Sequence, residues 1–105
     1  MSDRLLGRQK DAHGHMRFYV LPIETEHGFQ DLIKFVSQEF GCEFGAPDVG
    51  PGTMVQKGTV GGRSLVFVLS DSTGTQLFAE DENDVYLAER IAEGIEARLR
   101  QVMNK

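Results

Sequence analysis

The sequence predicts an α+β fold, a two-layer sandwich in which two helices cover one face of a mostly antiparallel five-stranded sheet. Three observations lead to this prediction: a long amphipathic helix closes the chain, a single helix precedes it, and short strands fill the interval between them. The predicted order of elements is β-α-β-β-β-β-α. A chain of 105 residues has the size of one domain, and we assign residues 15–105 to it.

The first strand is predicted at residues 16–23, because aromatic and branched side chains dominate this segment and Pro22 closes it. The first helix is predicted at residues 28–40, with Thr25 as its candidate N-cap. Its apolar side chains recur three and four residues apart, which places them on one stripe. Gly41 suits the left-handed position that follows many helices.

Four further strands are predicted from runs of branched and aromatic residues separated by turn residues. They span residues 43–46, 53–60, 64–69 and 75–79. Gly61 and Gly62 suit a tight hairpin turn between two of them. Short connections favour antiparallel neighbours, so the first strand of the chain is expected at an edge of the sheet or beside the last strand.

The final helix is predicted at residues 83–105, where an acidic cluster supplies candidate caps and complements the helix dipole. Gly94 either lets this helix approach the sheet closely or is a tolerated defect. The order of elements resembles the TATA-binding-protein-like or helix-grip arrangement. That resemblance is one of topology, so it implies a fold and no activity. The apolar stripe of the helix consists of Val85, Ala88, Ile91, Ala92, Ile95, Leu99 and Val102.

Charge and cysteine content narrow the classes of partner. The net charge is −5, but residues 1–17 carry +2, and we expect residues 1–14 to form a flexible leader outside the fold. An acidic body repels phosphate backbones, so nucleic acid is not an expected partner. No apolar run reaches the roughly 20 residues that cross a membrane. A lone Cys42 excludes a disulfide framework and a cysteine zinc site, so we expect a cytoplasmic protein without metal or cofactor.

One segment resembles a catalytic motif. Residues 71–75, Asp-Ser-Thr-Gly-Thr, match the phosphorylation site of P-type ATPases at four of five positions. That chemistry also needs a lysine and a magnesium-binding acidic pair on a doubly wound core, which so short a remaining chain does not supply. We therefore interpret the segment as a turn. His27 and Cys42 show no partner for catalysis, so an enzyme is the least favoured hypothesis.

The strand at residues 64–69 is apolar on both of its faces, because Leu65 and Phe67 alternate with other apolar side chains. Two helices in one layer cover only one face of a sheet. The other face should then carry an apolar patch of the kind that marks a partner or ligand surface, unless loops or strand curvature cover it. The residues selected as interface candidates are Phe18, Val20, Val66 and Val68.

The favoured hypothesis is a protein-interaction module without catalytic activity, which forms a homodimer through the free sheet face or binds another protein there. The alternative is a small-molecule-binding domain with a pocket between the sheet and the C-terminal helix. In that pocket Arg63 would be the polar anchor. The pocket candidates are Tyr19, Arg63, Phe67 and Phe78.

Overall fold

The computed structural model of the chain describes residues 5–103. It confirms the α+β class, since antiparallel strands form one sheet and two helices pack on it. In chain order the elements are β1 (Leu6–Lys10), β2 (Met16–Val20), α1 (Glu26–Phe40), β3 (Glu43–Phe44), β4 (Asp48–Gly50), β5 (Thr53–Val60), β6 (Arg63–Ser70), β7 (Gly74–Ala79) and α2 (Val85–Met103).

The sheet has the strand order β1-β2-β7-β6-β5-β3, and β4 also pairs with β5. Every pair is antiparallel, and β5, β6 and β7 follow one another as a meander. The predicted first strand, now β2, lies beside the last strand β7, with Phe18 opposite Leu77. This placement was one of the two that the short connections allowed.

The number of strands differs from the prediction, because the described residues form seven strands rather than five. One addition is β1, which lies within the segment that we expected to form a flexible leader. Leu5 and Leu6 are each only 5% exposed, and Leu6 pairs with Val20. Burial of these two side chains ties the segment to the fold. Residues 1–4 of the expected leader lie outside the described residues.

The other additional strand is β4, in a segment that we predicted as a turn. Its Val49 lies opposite Met54 on β5, so the turn residues around it form a short hairpin. The resemblance to the TATA-binding-protein-like or helix-grip arrangement stays a prediction.

The predicted caps of α1 are confirmed, although the helix begins at Glu26, two residues before the predicted start. The Thr25 hydroxyl accepts a hydrogen bond from the Gly28 N–H at 3.0 Å, and Gly41 follows the helix at a φ of 67°. At the second helix, Asp81 accepts from the Asn83 N–H at 2.9 Å and caps a short 3₁₀ turn. The α-helix therefore begins at Val85, two residues later than predicted.

The core lies between the helices and one face of the sheet. Gly94 contributes by admitting a side chain of α1: a Cβ at this position would lie 2.5 Å from the tip of the Phe40 ring. The glycine thus lets the two helices pack together, rather than bringing α2 closer to the sheet. The fully buried side chains include Phe18, Val20, Phe29, Val36, Leu65, Phe67, Leu77, Ile91 and Ile95.

Candidate functional site: the open face of the sheet

Side chains from four neighbouring strands meet on the face of the sheet opposite the helices. On β6 they are Val66 and Val68, which alternate with core residues of the same strand. The register of β5 and β7 against β6, and of β2 against β7, fixes their neighbours. We call this surface the open face; its residues are Arg17, Tyr19, Val55, Lys57, Val66, Val68, Gln76 and Phe78.

The centre of the open face is apolar. Val66 is 5% exposed although neither helix of residues 5–103 covers it, and Val55, Val68 and Phe78 are half-buried. Leu21, which follows β2 on the same side, is 43% exposed. Partly exposed apolar side chains on neighbouring strands form the kind of patch that binds other molecules.

Arg17 lies across one side of this patch. Its guanidinium stands 4.3 Å from the centre of the Phe78 ring, close enough for a cation–π interaction. Its Nη1 donates to Gln76 Oε1 at 3.0 Å, and its Nε donates to Asp11 Oδ2 at 3.3 Å. The aliphatic part of the arginine therefore shields Phe78 while its charge remains near solvent.

Asp11, which pairs with Arg17, lies in the turn between β1 and β2. Its Oδ1 accepts hydrogen bonds from the backbone N–H groups of His13 and His15, each at 2.9 Å. Hydrogen bonding, first from His15, holds the pKa of the Asp11 carboxyl below its usual value. A fixed negative charge thus accompanies the positive charge on this side of the open face.

A second ion pair lies on the other side of the patch, where Lys57 Nζ is 3.3 Å from Glu80 Oε1. Both side chains are substantially exposed, so the pair itself adds little to stability. It nevertheless places both signs of charge at this border. The apolar centre is therefore bordered on two sides by paired, opposite charges.

The structure separates the four predicted interface residues. Val66 and Val68 lie on the open face, whereas Phe18 and Val20 are each 1% exposed and belong to the core beneath the helices. The register explains the difference, because Phe18 lies opposite the buried Leu77. The prediction that all four share one surface is therefore wrong.

The four predicted pocket residues also do not converge. Tyr19 and Phe78 lie on the open face, but Phe67 is fully buried and packs edge-on against Phe44, with 5.3 Å between ring centres. Arg63 lies at the end of the β5–β6 hairpin. The space between sheet and α2 that would have held a ligand is instead filled by core side chains.

Arg63 has a structural partner. It donates to Asp84, whose side chain is largely buried, and this bond raises the pKa of the Arg63 guanidinium. The ion pair joins the β5–β6 hairpin to the start of α2. It borders a polar cleft of about 490 Å³ whose lining also includes His15, Gly62, Ser64, Glu80, Asp81 and Glu82. Within residues 5–103, no group of three or more His, Cys, Asp or Glu residues is arranged to hold a metal ion.

The side chains considered for catalysis lie in three different parts of the fold. Cys42 is 1% exposed, and burial raises the pKa of its thiol to about 11, so little thiolate forms near neutral pH. His27 lies on the exposed first turn of α1, 3.4 Å from Asp31. Asp71 belongs to the turn between β6 and β7.

Sequence reasoning missed Arg17 and Gln76 as members of the open face. The sequence analysis assigned neither residue to a surface, although alternation places Arg17 with Tyr19 and Gln76 with Phe78. A polar residue between apolar ones at this spacing was the available signal. The alternation does not show which face of each strand the helices cover; that depends on the register of β2 and β6 against β7.

Comparison with protein-family models, with curated proteins and with solved structures found no match. The functional argument therefore rests on the residues of this chain. In the part of the chain that the structure describes, neither helix combines the length and the apolar character needed to span a membrane.

Proposed function

We propose that this protein is a protein-interaction module without catalytic activity that self-associates through the open face. The observation that supports this proposal is the apolar centre formed by Val55, Val66, Val68 and Phe78 on the sheet face opposite the helices. The proposal also places the protein in the cytoplasm, which a single free and buried cysteine supports.

The charges that border the patch favour a second copy of the same chain as the partner. In a two-fold symmetric contact the same surface is used twice, so each residue must tolerate its symmetry-related counterpart. A border of one sign would repel itself. Here Arg17 and Asp11 lie on one side, and Lys57 and Glu80 on the other, so a rotated copy can set each positive charge near a negative one.

The size of the patch predicts a weak dimer. β5 and β6 have eight residues each, and four strands at ordinary spacing give an area on the order of 500 Å². Stable interfaces bury roughly 800 Å² per partner. We therefore expect a reversible dimer whose population rises with concentration.

Sedimentation velocity from low micromolar to millimolar protein tests this proposal. The average mass should rise from 11.7 kDa towards twice that value. Val68→Asp should abolish the rise, because it places a charge in the apolar centre at a half-buried position. Val66 is less suitable for substitution, because at 5% exposure a charge there threatens folding itself.

Val49→Asp is the matched control, since Val49 is also a strand valine but is 65% exposed and lies away from the open face. The average mass of this variant should rise with concentration as that of the original protein does. A monomer at every concentration, or a dimer that Val68→Asp leaves intact while its circular dichroism shows a folded protein, would contradict self-association through this face. If Val68→Asp unfolds, Leu21→Asp at the more exposed border makes the same test.

A further inference from the structure

A groove of about 470 Å³ runs between α1 and α2. Its lining comes from the two helices and from the loop that precedes α1, so it lies in the helix layer and is independent of the open face. Six apolar side chains line it: Ile23, Leu32, Phe35, Ile95, Leu99 and Val102.

The apolar stripe of α2 continues beyond the part of the helix that the core buries. Ile95 is 1% exposed, but Leu99 is only half-buried and Val102 is 54% exposed. The neighbouring Met103 is 55% exposed as well. The last two turns of α2 thus present an apolar edge that the other described residues cover only in part, and its Leu99 and Val102 line the groove.

The groove also carries positive charge. Lys34 on α1 and Arg98 on α2 both line it, and neither forms a salt bridge with any residue from 5 to 103. One carboxylate, that of Asp31, also lines the groove, 3.4 Å from the exposed His27. The lining therefore carries two cations, which form no salt bridge among residues 5–103, against one carboxylate, on a protein whose net charge is −5.

We propose that this groove binds an amphipathic helix of a partner protein whose apolar stripe is flanked by aspartate and glutamate. In helix-in-groove recognition, apolar side chains three and four residues apart enter the groove. The lining spans Gly28 to Gln38 on α1, about 15 Å at 1.5 Å per residue, and Ile95 to Val102 on α2, about 10 Å. These lengths match two to three turns of a bound helix.

Two other occupants fit the groove less well. A small ligand is normally enclosed over most of its surface, whereas Val102 is more than half exposed and leaves the groove open at its end of α2. A two-fold contact through the groove would bring together two cations and one carboxylate from each copy, which leaves an excess of like charge, and like charges in a contact are unfavourable. Both arguments favour an acidic helix from another protein.

A pair of fluorescein-labelled model peptides tests the proposal on the full-length protein. Both peptides are helical with the same leucine stripe; one carries glutamate at its flanking positions and the other carries lysine. The net charge of the protein alone predicts that the lysine peptide binds better. The groove predicts the opposite, with the glutamate peptide binding at least about tenfold more tightly in an anisotropy titration.

The double substitution Lys34→Glu and Arg98→Glu should reverse this preference, since it removes the cations of the groove. The matched control, Lys10→Glu with Arg90→Glu, makes the same change in net charge at exposed positions that do not line the groove and should leave the preference for the glutamate peptide in place. Chemical-shift mapping of the amide resonances should place the bound peptide beside Leu32 and Leu99.

Four results would overturn the proposal. In the first, the lysine peptide binds as well as or better than the glutamate peptide. In the second, the control substitutions change the preference as much as the groove substitutions do. In the third, the shifts fall on the open face. In the fourth, neither peptide binds; if decanoate then perturbs the groove resonances, a small amphiphile is the occupant.

Discussion

The two faces of the sheet are both apolar along β6, yet they are buried in different ways. Beneath the helices, Leu65 and Phe67 are fully buried, because two amphipathic helices lay their stripes on them. On the open face, Val66 is 5% exposed and Val68 is half-buried, and the described part of the chain places no second layer of structure above them. One strand therefore contributes both to a packed core and to a surface that is only partly shielded.

Cross-strand neighbours explain the burial on the open face. Val66 lies between Phe78 on β7 and Lys57 on β5, and such directly opposite side chains are in contact in antiparallel sheets. Arg17 in turn lies over Phe78. Shielding by long side chains can be moved aside by a partner, whereas a helix layer cannot. This difference makes the open face the candidate for an interaction surface.

Truncating one phenylalanine on each face should give the largest difference between them. Phe67→Ala should lower the free energy of unfolding by about 3–5 kcal/mol, because it leaves a cavity in the core. Phe78→Ala should lower it by roughly 1–2 kcal/mol, since the ring is half-buried and solvent can fill the space. Urea unfolding monitored by circular dichroism measures both values.

Equal losses for the two variants would contradict the comparison, since the open face would then be packed as tightly as the core. A change in the slope of the urea dependence would show that a variant alters the compactness of the unfolded or native state. Tyr86→Ala serves as a control for loss of an aromatic ring at the surface, because Tyr86 is 55% exposed.

The sequence predicted the positions of helices and strands more reliably than it predicted which side chains of each strand lie on the buried face of the sheet. Alternation in β6 separated Leu65 and Phe67 from Val66 and Val68 correctly, because one face of that strand lies under the helices. In β2 both alternating pairs are aromatic or apolar, so the pattern alone does not show which pair is buried. The register with β7, which places Phe18 opposite Leu77, decides the matter.

The strand β1 was missed for a related reason. Its sequence, Leu-Gly-Arg-Gln-Lys, has neither the alternation nor the β-branched or aromatic side chains of a typical strand. It is held by pairing with β2, by burial of Leu5 and Leu6, and by Arg8, whose Nε lies 3.3 Å from Glu89 Oε2 on α2. These are tertiary contacts, which local sequence patterns do not encode. The groove between the helices was missed likewise, because the stripe of α2 does not show where the core ends.

A smaller loss of stability is expected from a substitution at Gly58 of β5, where the sheet face beneath the helices leaves no room for a side chain. A Cβ there would lie 2.5 Å from Cys42 Sγ and 2.8 Å from two carbons of the Phe44 ring. Gly58→Ala should therefore cost about 1–3 kcal/mol of stability through overpacking. Gly45→Ala is the matched control, because the nearest atom to its Cβ would be a carbonyl oxygen at 4.0 Å.

The reactivity of Cys42 provides a second measurement of the same change. In the original protein the thiol should react slowly with a disulfide reagent, since it is buried and its pKa is raised to about 11. Gly58→Ala should speed the reaction by displacing the side chain, and Gly45→Ala should not. The argument from packing fails if the two alanine variants are equally stable and react equally slowly.

The smallest effect concerns Asp11, which holds Arg17 on the open face. In the folded protein, hydrogen bonds to the Asp11 carboxylate, first from the His15 N–H, hold the pKa of Asp11 below its usual value of 3.8. A depressed folded pKa adds stability above the unfolded value, and this stability is lost as the pH falls through the folded pKa. Asp11→Asn should therefore be less stable than the original protein at pH 7, and the difference should shrink below about pH 4.

Urea midpoints at pH 7 and below pH 4 measure this difference. Asp48→Asn is the control, because it removes the same charge from the exposed strand β4 without altering the β1–β2 turn. A difference between Asp11→Asn and the original protein that persists unchanged at low pH would show that the carboxylate charge does not fix the turn, and that Arg17 is held by Gln76 and Phe78 alone.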